Sequence, residues 1–180
     1  MALAHFQNAE VVITAPEPHA RALAYATRSR ETLGVLVELF VDAEHNIAIA
    51  APYIHTNVFE TGILGAAMTA ALERKIVVEL LTTKANLEKP RIRSLFTKFG
   101  PLLRLYYPEF PQFDVSELGS HAKFCISDDT AAYVGSANLT TPGLGEHFEL
   151  GVLVRGQAAL AMRSFWNFAI HHKLFSPYTY

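Results

Sequence analysis

The chain has 180 residues, 51% of them hydrophobic and 18% charged, with a formal net charge of −2. This length suits one domain with its own buried core, and the weak negative charge excludes an indiscriminately basic nucleic-acid coat protein. A single cysteine, Cys125, excludes an internal disulfide framework and a cysteine-rich metal cluster, and reads as a small strand residue in a reducing compartment.

In chain order, residues 1–12 (MALAHFQNAEVV) lack the basic segment and long apolar run of a secretory leader. No uncharged apolar run approaches the length of a membrane span, so the expectation is a cytoplasmic protein without a transmembrane segment. VVIT at 11–14 reads as a short strand closed by APEP. His19 to about Ala43 reads as helical, with Leu33, Leu36, Val37, Phe40 and Val41 on one buried stripe.

From Asn46 strands and helices alternate. The strands are 47–54 (IAIAAPYI), 75–83 (KIVVELLTT) and 102–107 (LLRLYY); helices fall at 61–74 and around 89–99. A proline-containing loop at 108–119 (PEFPQFDVSELG) leads to the most polar stretch, and a strand at 148–154 and an amphipathic helix at 156–175 close the chain. Continuous apolar strands separated by helices point to an α/β fold, with a mixed, largely parallel sheet flanked by helices on both faces. Residues 1–45 read as a strand and helical extension packed on the core, and 46–180 as the catalytic domain.

The polar stretch is HAKFCISDDTAAYVGSAN, 121–138. AKFCI and AAYVG flank the turn formers SDDT, which makes a hairpin. With a four-residue loop, Ile126 faces Ala131, Lys123 faces Val134 and His121 faces Ser136. His121 and Lys123, two apart, share a face, Gly135 allows close approach, and Ser136 and Asn138 offer donors at the strand end. Imidazole, ammonium, hydroxyl and carboxamide together make a cationic, donor-rich pocket for a phosphate oxyanion. His121 is left to attack phosphorus or carry a proton.

The spacing H-x-K-x4-D-x6-G-S-x-N, met by His121, Lys123, Asp128, Gly135, Ser136 and Asn138, resembles the HKD signature of the phospholipase D superfamily. The order of strands agrees from about residue 46 to 172. The resemblance implies a phospholipase D-like α/β/α sandwich and a phosphodiesterase that works without metal or cofactor. One histidine becomes a phosphohistidine and a second protonates the leaving oxygen. It gives Lys123, Gly135, Ser136 and Asn138 to the substrate phosphate, and Glu149, in HFELGV, to the orientation of the imidazole. Asp128, in the turn, is read as structural, tying amides of its own loop, and His147 stands where the family often has Asn.

One motif copy implies a two-fold homodimer in which His121 of each chain meets across a shared cleft. Nucleic acid is favoured over phospholipid as substrate, because Lys84, Lys89, Arg91, Arg93, Lys98 and Arg104 face only Glu88 in their stretch and no membrane-binding apolar helix is evident. A non-catalytic phosphate or DNA clamp is the alternative of a different class. It resembles the phospholipase D-like component of the DISARM antiphage system, with defence-complex subunits as partners. His5, His19, His45, His171 and His172 show no ligand spacing, while His55 and His147 are kept as neighbours of the site. Tyr106, Tyr107, Phe110 and Phe113 read as core rather than base-stacking residues.

Overall fold

The computed structural model describes residues 9–108 and 120–180. His5, Phe110, Phe113 and the loop read after Pro108 lie outside the described residues. Within them runs one nine-stranded sheet. Its strands are β1 (Ala9–Thr14), β2 (Arg30–Glu31), β3 (Asn46–Ala50), β4 (Val77–Leu81), β5 (Leu103–Tyr107), β6 (Phe124–Ser127), β7 (Ala131–Gly135), β8 (Glu149–Arg155) and β9 (Ser176–Tyr178). In space they follow the order β2-β1-β8-β7-β6-β3-β4-β5-β9.

The mixed sheet stands, but the finer expectation that it is largely parallel is corrected. Three pairings, β1–β2, β3–β4 and β4–β5, are parallel, and the other five are antiparallel. Strands β6 and β7 are joined by a tight turn, and only antiparallel neighbours can be joined so closely. The β3–β4–β5 half, whose strands are separated by helices, is the parallel part.

The helices are α1 (His19–Thr27), α2 (Thr32–Asp42), α3 (Thr56–Glu60), α4 (Ile63–Glu73), α5 (Lys84–Leu87), α6 (Pro90–Phe99), α7 (Thr141–Gly145) and α8 (Gln157–His171). On one face of the sheet Leu36, Leu39 and Phe40 of α2, Leu64, Met68 and Leu72 of α4, and Ile92 and Leu95 of α6 bury against Ile47, Ile49, Val78, Leu80 and Leu105. On the other face α8 lies over Ala48, Ala50 and Ala132, whose small side chains leave room for Trp166. The Trp166 indole donates to Glu79 Oε2 at 2.7 Å, so its one polar atom is satisfied.

The helix read from His19 to Ala43 is two helices. Arg28 adopts a left-handed conformation (φ 51°) that stops α1, and Arg30–Glu31 then pairs in parallel with β1. Arg30 and Arg155 both bind Glu38, and Arg155 also binds Glu10, an ion-pair cluster that pins this edge. The buried stripe of α2 includes Leu36 and Phe40 but leaves Val41 exposed. Strand β3 ends at Ala50, four residues before Ile54, which instead bridges Leu139. Residues 9–45 thus supply two strands of the same sheet and one helix of the same core.

Asp128 is structural, but it does not tie its own loop. Its carboxylate accepts the backbone N–H groups of Glu44, His45 and Asn46, each at 2.9 Å, which locks the entry of β3 to the β6–β7 turn. This contact lies at the end of β6 remote from His121. Asp128→Ala is therefore expected to cost about 2 kcal/mol of stability in urea unfolding while leaving the activity of the folded fraction unchanged. A larger effect on turnover than on stability would contradict this placement.

Candidate active site

Four strand ends meet where the motif lies. Ala50, the last residue of β3, pairs with Phe124, the first of β6; β7 ends at Gly135 and β8 begins at Glu149. The β6–β7 register differs from the expectation by one residue. Ser127 pairs with Ala131 and Phe124 with Val134, because Asp128 takes a positive φ of 49° and the loop holds three residues rather than four. Lys123 consequently faces Gly135, whose N–H donates to the Lys123 carbonyl at 3.1 Å.

Lys123 is buried, 6% exposed, while His121 is exposed just before the strand. The Lys123 ammonium donates to the His121 carbonyl at 3.0 Å, and the imidazole Nδ1 and Nε2 stand 3.1 and 3.3 Å from it. Burial holds the ammonium below the ordinary lysine pKa, partly offset by the Glu149 carboxylate.

Ser136 and Glu149 form the second pair. The Ser136 hydroxyl donates to Glu149 Oε2 and accepts the Leu150 N–H at 3.1 Å, and the Ser136 N–H donates to the Leu150 carbonyl at 3.0 Å. Among the described residues Glu149 makes no hydrogen bond to His121, so within one chain it positions Ser136 rather than the imidazole. His147 Nδ1 lies 4.0 Å from the other Glu149 oxygen.

Gly135 serves packing rather than substrate approach. A Cβ there would lie 2.3 Å from the Tyr133 hydroxyl and 2.9 Å from Gly151 Cα; a Cβ on Gly151 would lie 2.5 Å from Tyr133 Cε2. The two glycines pair across β7 and β8, and the Tyr133 ring occupies the space their missing side chains leave. Neither Tyr133 nor Gly151 emerges from the sequence reading, although Y-x-G in one strand and a glycine after Glu149 in the next are its visible trace. Asn138 follows, with its buried Oδ1 unpartnered among the described residues. The turn beyond it is held by His55, whose N–H donates to the Leu139 carbonyl at 2.9 Å and whose Nδ1 accepts the Thr141 N–H at 3.4 Å. Cys125 is fully buried, with its thiol pushed up to about 12 by desolvation, and takes no part.

The family model for the phospholipase D-like domain of cardiolipin synthase matches residues 36–168. The chain belongs to the phospholipase D superfamily. It carries that superfamily's phosphodiesterase domain, and the match begins ten residues before the sequence resemblance does. No curated protein matches it in sequence.

Solved structures share the superfamily fold at low identity. The phospholipase D family member Nuc from Salmonella typhimurium is 16% identical, with a TM-score of 0.61, over 96% of this chain and 98% of that one. NucT from Helicobacter pylori is 17% identical, with a TM-score of 0.66, over 91% and 96%. Phosphatidylserine synthase from Haemophilus influenzae is 14% identical, with a TM-score of 0.67, over 94% of this chain but 40% of that one.

The cations between residues 84 and 104, clustered in sequence, do not form one face in the structure. Lys89 donates to the Ile54 carbonyl, Arg91 to Phe59, and Lys98 to Glu73. Arg93 stacks on Tyr180, and Arg104 pairs with Glu79. These partners are spread over both ends of the sheet, so the clustering in sequence is not kept in space. Among the described residues no three His, Cys, Asp or Glu side chains could hold a metal ion, and no helix is long and apolar enough to cross a membrane.

Since the Lys123 pKa is lowered, its ammonium discharges at a lower pH than an exposed lysine would. Binding of a phosphodiester is expected to weaken as pH rises through that range, and Lys123→Met to raise KM by roughly tenfold or more at neutral pH. An alkaline limb in KM that survives in Lys123→Met would assign it to another group.

Proposed function

We propose that the chain is a metal-independent phosphodiesterase that hydrolyses nucleic acid through a phosphohistidine on His121. The observation that carries this reading is the contact of a buried ammonium, Lys123, with an exposed imidazole, His121, at the sheet end where Ser136 and Asn138 converge. A phosphate bound there meets positive charge and oriented donors whose stabilisation grows as charge builds on its oxygens. A ring nitrogen of His121 attacks phosphorus, the P–O bond to the leaving group breaks, and a second imidazole protonates the departing oxygen. The same group then takes a proton from water as the water oxygen attacks phosphorus, the P–N bond breaks, and His121 is regenerated.

The second imidazole comes from a second copy of the chain. This chain spans nearly all of Nuc and NucT but well under half of phosphatidylserine synthase, which fits a small enzyme assembled from two chains. An apolar strip beside the site offers the contact. Val11, Val152 and Val134 are lateral neighbours across β1, β8 and β7, Val11 and Val134 exposed and Val152 half-buried. The exposed Leu150 and Phe148, 64% and 69% accessible, extend the strip to Glu149. A copy seated here brings its own His121 towards this site.

Nucleic acid is the favoured substrate on the likeness to Nuc and NucT. Phospholipid is the second reading, favoured by the likeness to phosphatidylserine synthase and by an apolar cleft of about 260 Å³ lined by Val58, Ile63, Leu64 and Leu144. A role among antiphage defence subunits rests on the sequence resemblance and leaves the chemistry unchanged.

Purified protein in excess EDTA is expected to cut single-stranded or plasmid DNA, and His121→Ala to lose at least about 10³-fold of that activity. Hydrolysis of phospholipid vesicles but not DNA would select the second reading. A DNA complex that forms equally with His121→Ala, without cleavage by either protein, would indicate a clamp. For the dimer, Leu150→Asp is expected to shift the sedimenting species from dimer to monomer and to reduce activity by about 10²-fold. A fully active monomer would contradict the two-chain site.

A further inference from the structure

Behind Glu149 lies a group of polar atoms that the reaction above does not use. Thr14, Thr32 and Tyr133 are 6%, 1% and 2% exposed, and the hydroxyl of each is buried without a well-formed hydrogen bond among the described residues. Thr14 pairs across the sheet with Glu149. Thr14 and Thr32 line one cleft of about 180 Å³ between β1 and the start of α2. The Tyr133 hydroxyl is approached by the Thr32 hydroxyl and the Ala137 backbone N–H, though neither closes a bond of good geometry, and it also feels the Glu149 carboxylate.

Three orphan hydroxyls in so small a region are costly. A buried hydroxyl left unpaired forfeits its hydration without compensation, and native proteins resolve such groups with ordered water when a polar, roomy site adjoins them. Tyrosine is also a demanding choice here. Phenylalanine would fill the same space over Gly135 and Gly151 without a polar atom, and the tyrosine's own strand and its neighbour β8 each give up a Cβ to admit the ring. The hydroxyl ends beside Ala137, the residue between Ser136 and Asn138.

We propose that Thr14 and Thr32 bind ordered water in the cleft they line, and that the Tyr133 hydroxyl, anchored through Thr32, is a positioning residue that fixes Ala137 and with it Ser136 and Asn138. The proposal rests on the phosphodiesterase reading for its effect on turnover, though not for its effect on structure. Tyr133 acts through the backbone. It holds the turn so that the Ser136 hydroxyl reaches Glu149 and the Asn138 amide reaches the phosphate at the moment charge develops, which affects turnover more than binding.

The test compares Tyr133→Phe, Thr32→Val and the double variant with the unaltered protein. The measurements are steady-state cleavage of single-stranded DNA, thermal midpoint and amide hydrogen exchange at Ala137. Tyr133→Phe is expected to lower kcat about tenfold with KM within about twofold, to leave the midpoint within about 2 °C, and to speed Ala137 exchange severalfold. Thr32→Val is expected to show a smaller loss of the same kind, and the double variant no greater loss than Tyr133→Phe alone, since the two hydroxyls act as one unit.

Unchanged kcat and unchanged Ala137 exchange in Tyr133→Phe would overturn the proposal. So would losses of activity that track the thermal midpoint, which is the signature of a packing role. Should the unaltered protein cleave no phosphodiester at all, the phosphodiesterase reading fails, and Ala137 exchange alone still decides whether Tyr133 holds the turn.

Discussion

The pairing of Gly135 with Gly151 is the constraint on which the site depends. Two glycines facing each other across β7 and β8 admit the ring of Tyr133, and no other residue type would leave that space. The same register sets the rest of the site. Gly135 donates to the Lys123 carbonyl, and Ser136 exchanges backbone and side-chain hydrogen bonds with Glu149 and Leu150. A slip of one residue would turn Lys123, Ser136 and Glu149 to the wrong faces. The motif is therefore as much a device for fixing strand register as a set of reactive groups.

Electrostatics then separates the roles. Lys123 is a cation held in low dielectric at the candidate site, and in the proposed reaction its charge would act on a phosphate with little screening by water. The cations that crowd the sequence between residues 84 and 104 are committed to carbonyls, carboxylates and rings elsewhere. In the proposed two-chain enzyme, recognition of a polymeric substrate would come from the combined surface of both copies rather than from one basic stripe. The apolar strip from Val11 to Phe148 is consistent with that assembly, because a monomer gains nothing from leaving large side chains exposed beside its own reactive groups.

That the motif residues lie together was legible in the sequence because the motif is a spacing, and spacing along strands translates directly into shared faces. The strands also announced themselves, since buried segments such as VVELL at 77–81 are continuous apolar runs. What was hidden depends on single dihedral angles or on partners far away in sequence. The hairpin register turned on Asp128 adopting a positive φ, and the break in the first helix on Arg28 doing the same. The amides that Asp128 binds lie more than eighty residues earlier. Strand β9 (Ser176–Tyr178) has only three residues and forms through pairing with β5. The sequence reading set Glu149 beside the imidazole, whereas its partner within the chain, Ser136, follows only from the folded contacts.

The proposed reaction stands on a covalent bond between the His121 imidazole and phosphorus. Rapid acid-free quenching of the enzyme during turnover of a phosphodiester in EDTA, followed by peptide mass spectrometry under alkaline conditions, tests it most directly. The account requires a phosphoryl adduct on the peptide containing His121, formed and lost at rates consistent with turnover. Turnover with no adduct on that peptide, or with an adduct on another residue, would contradict it.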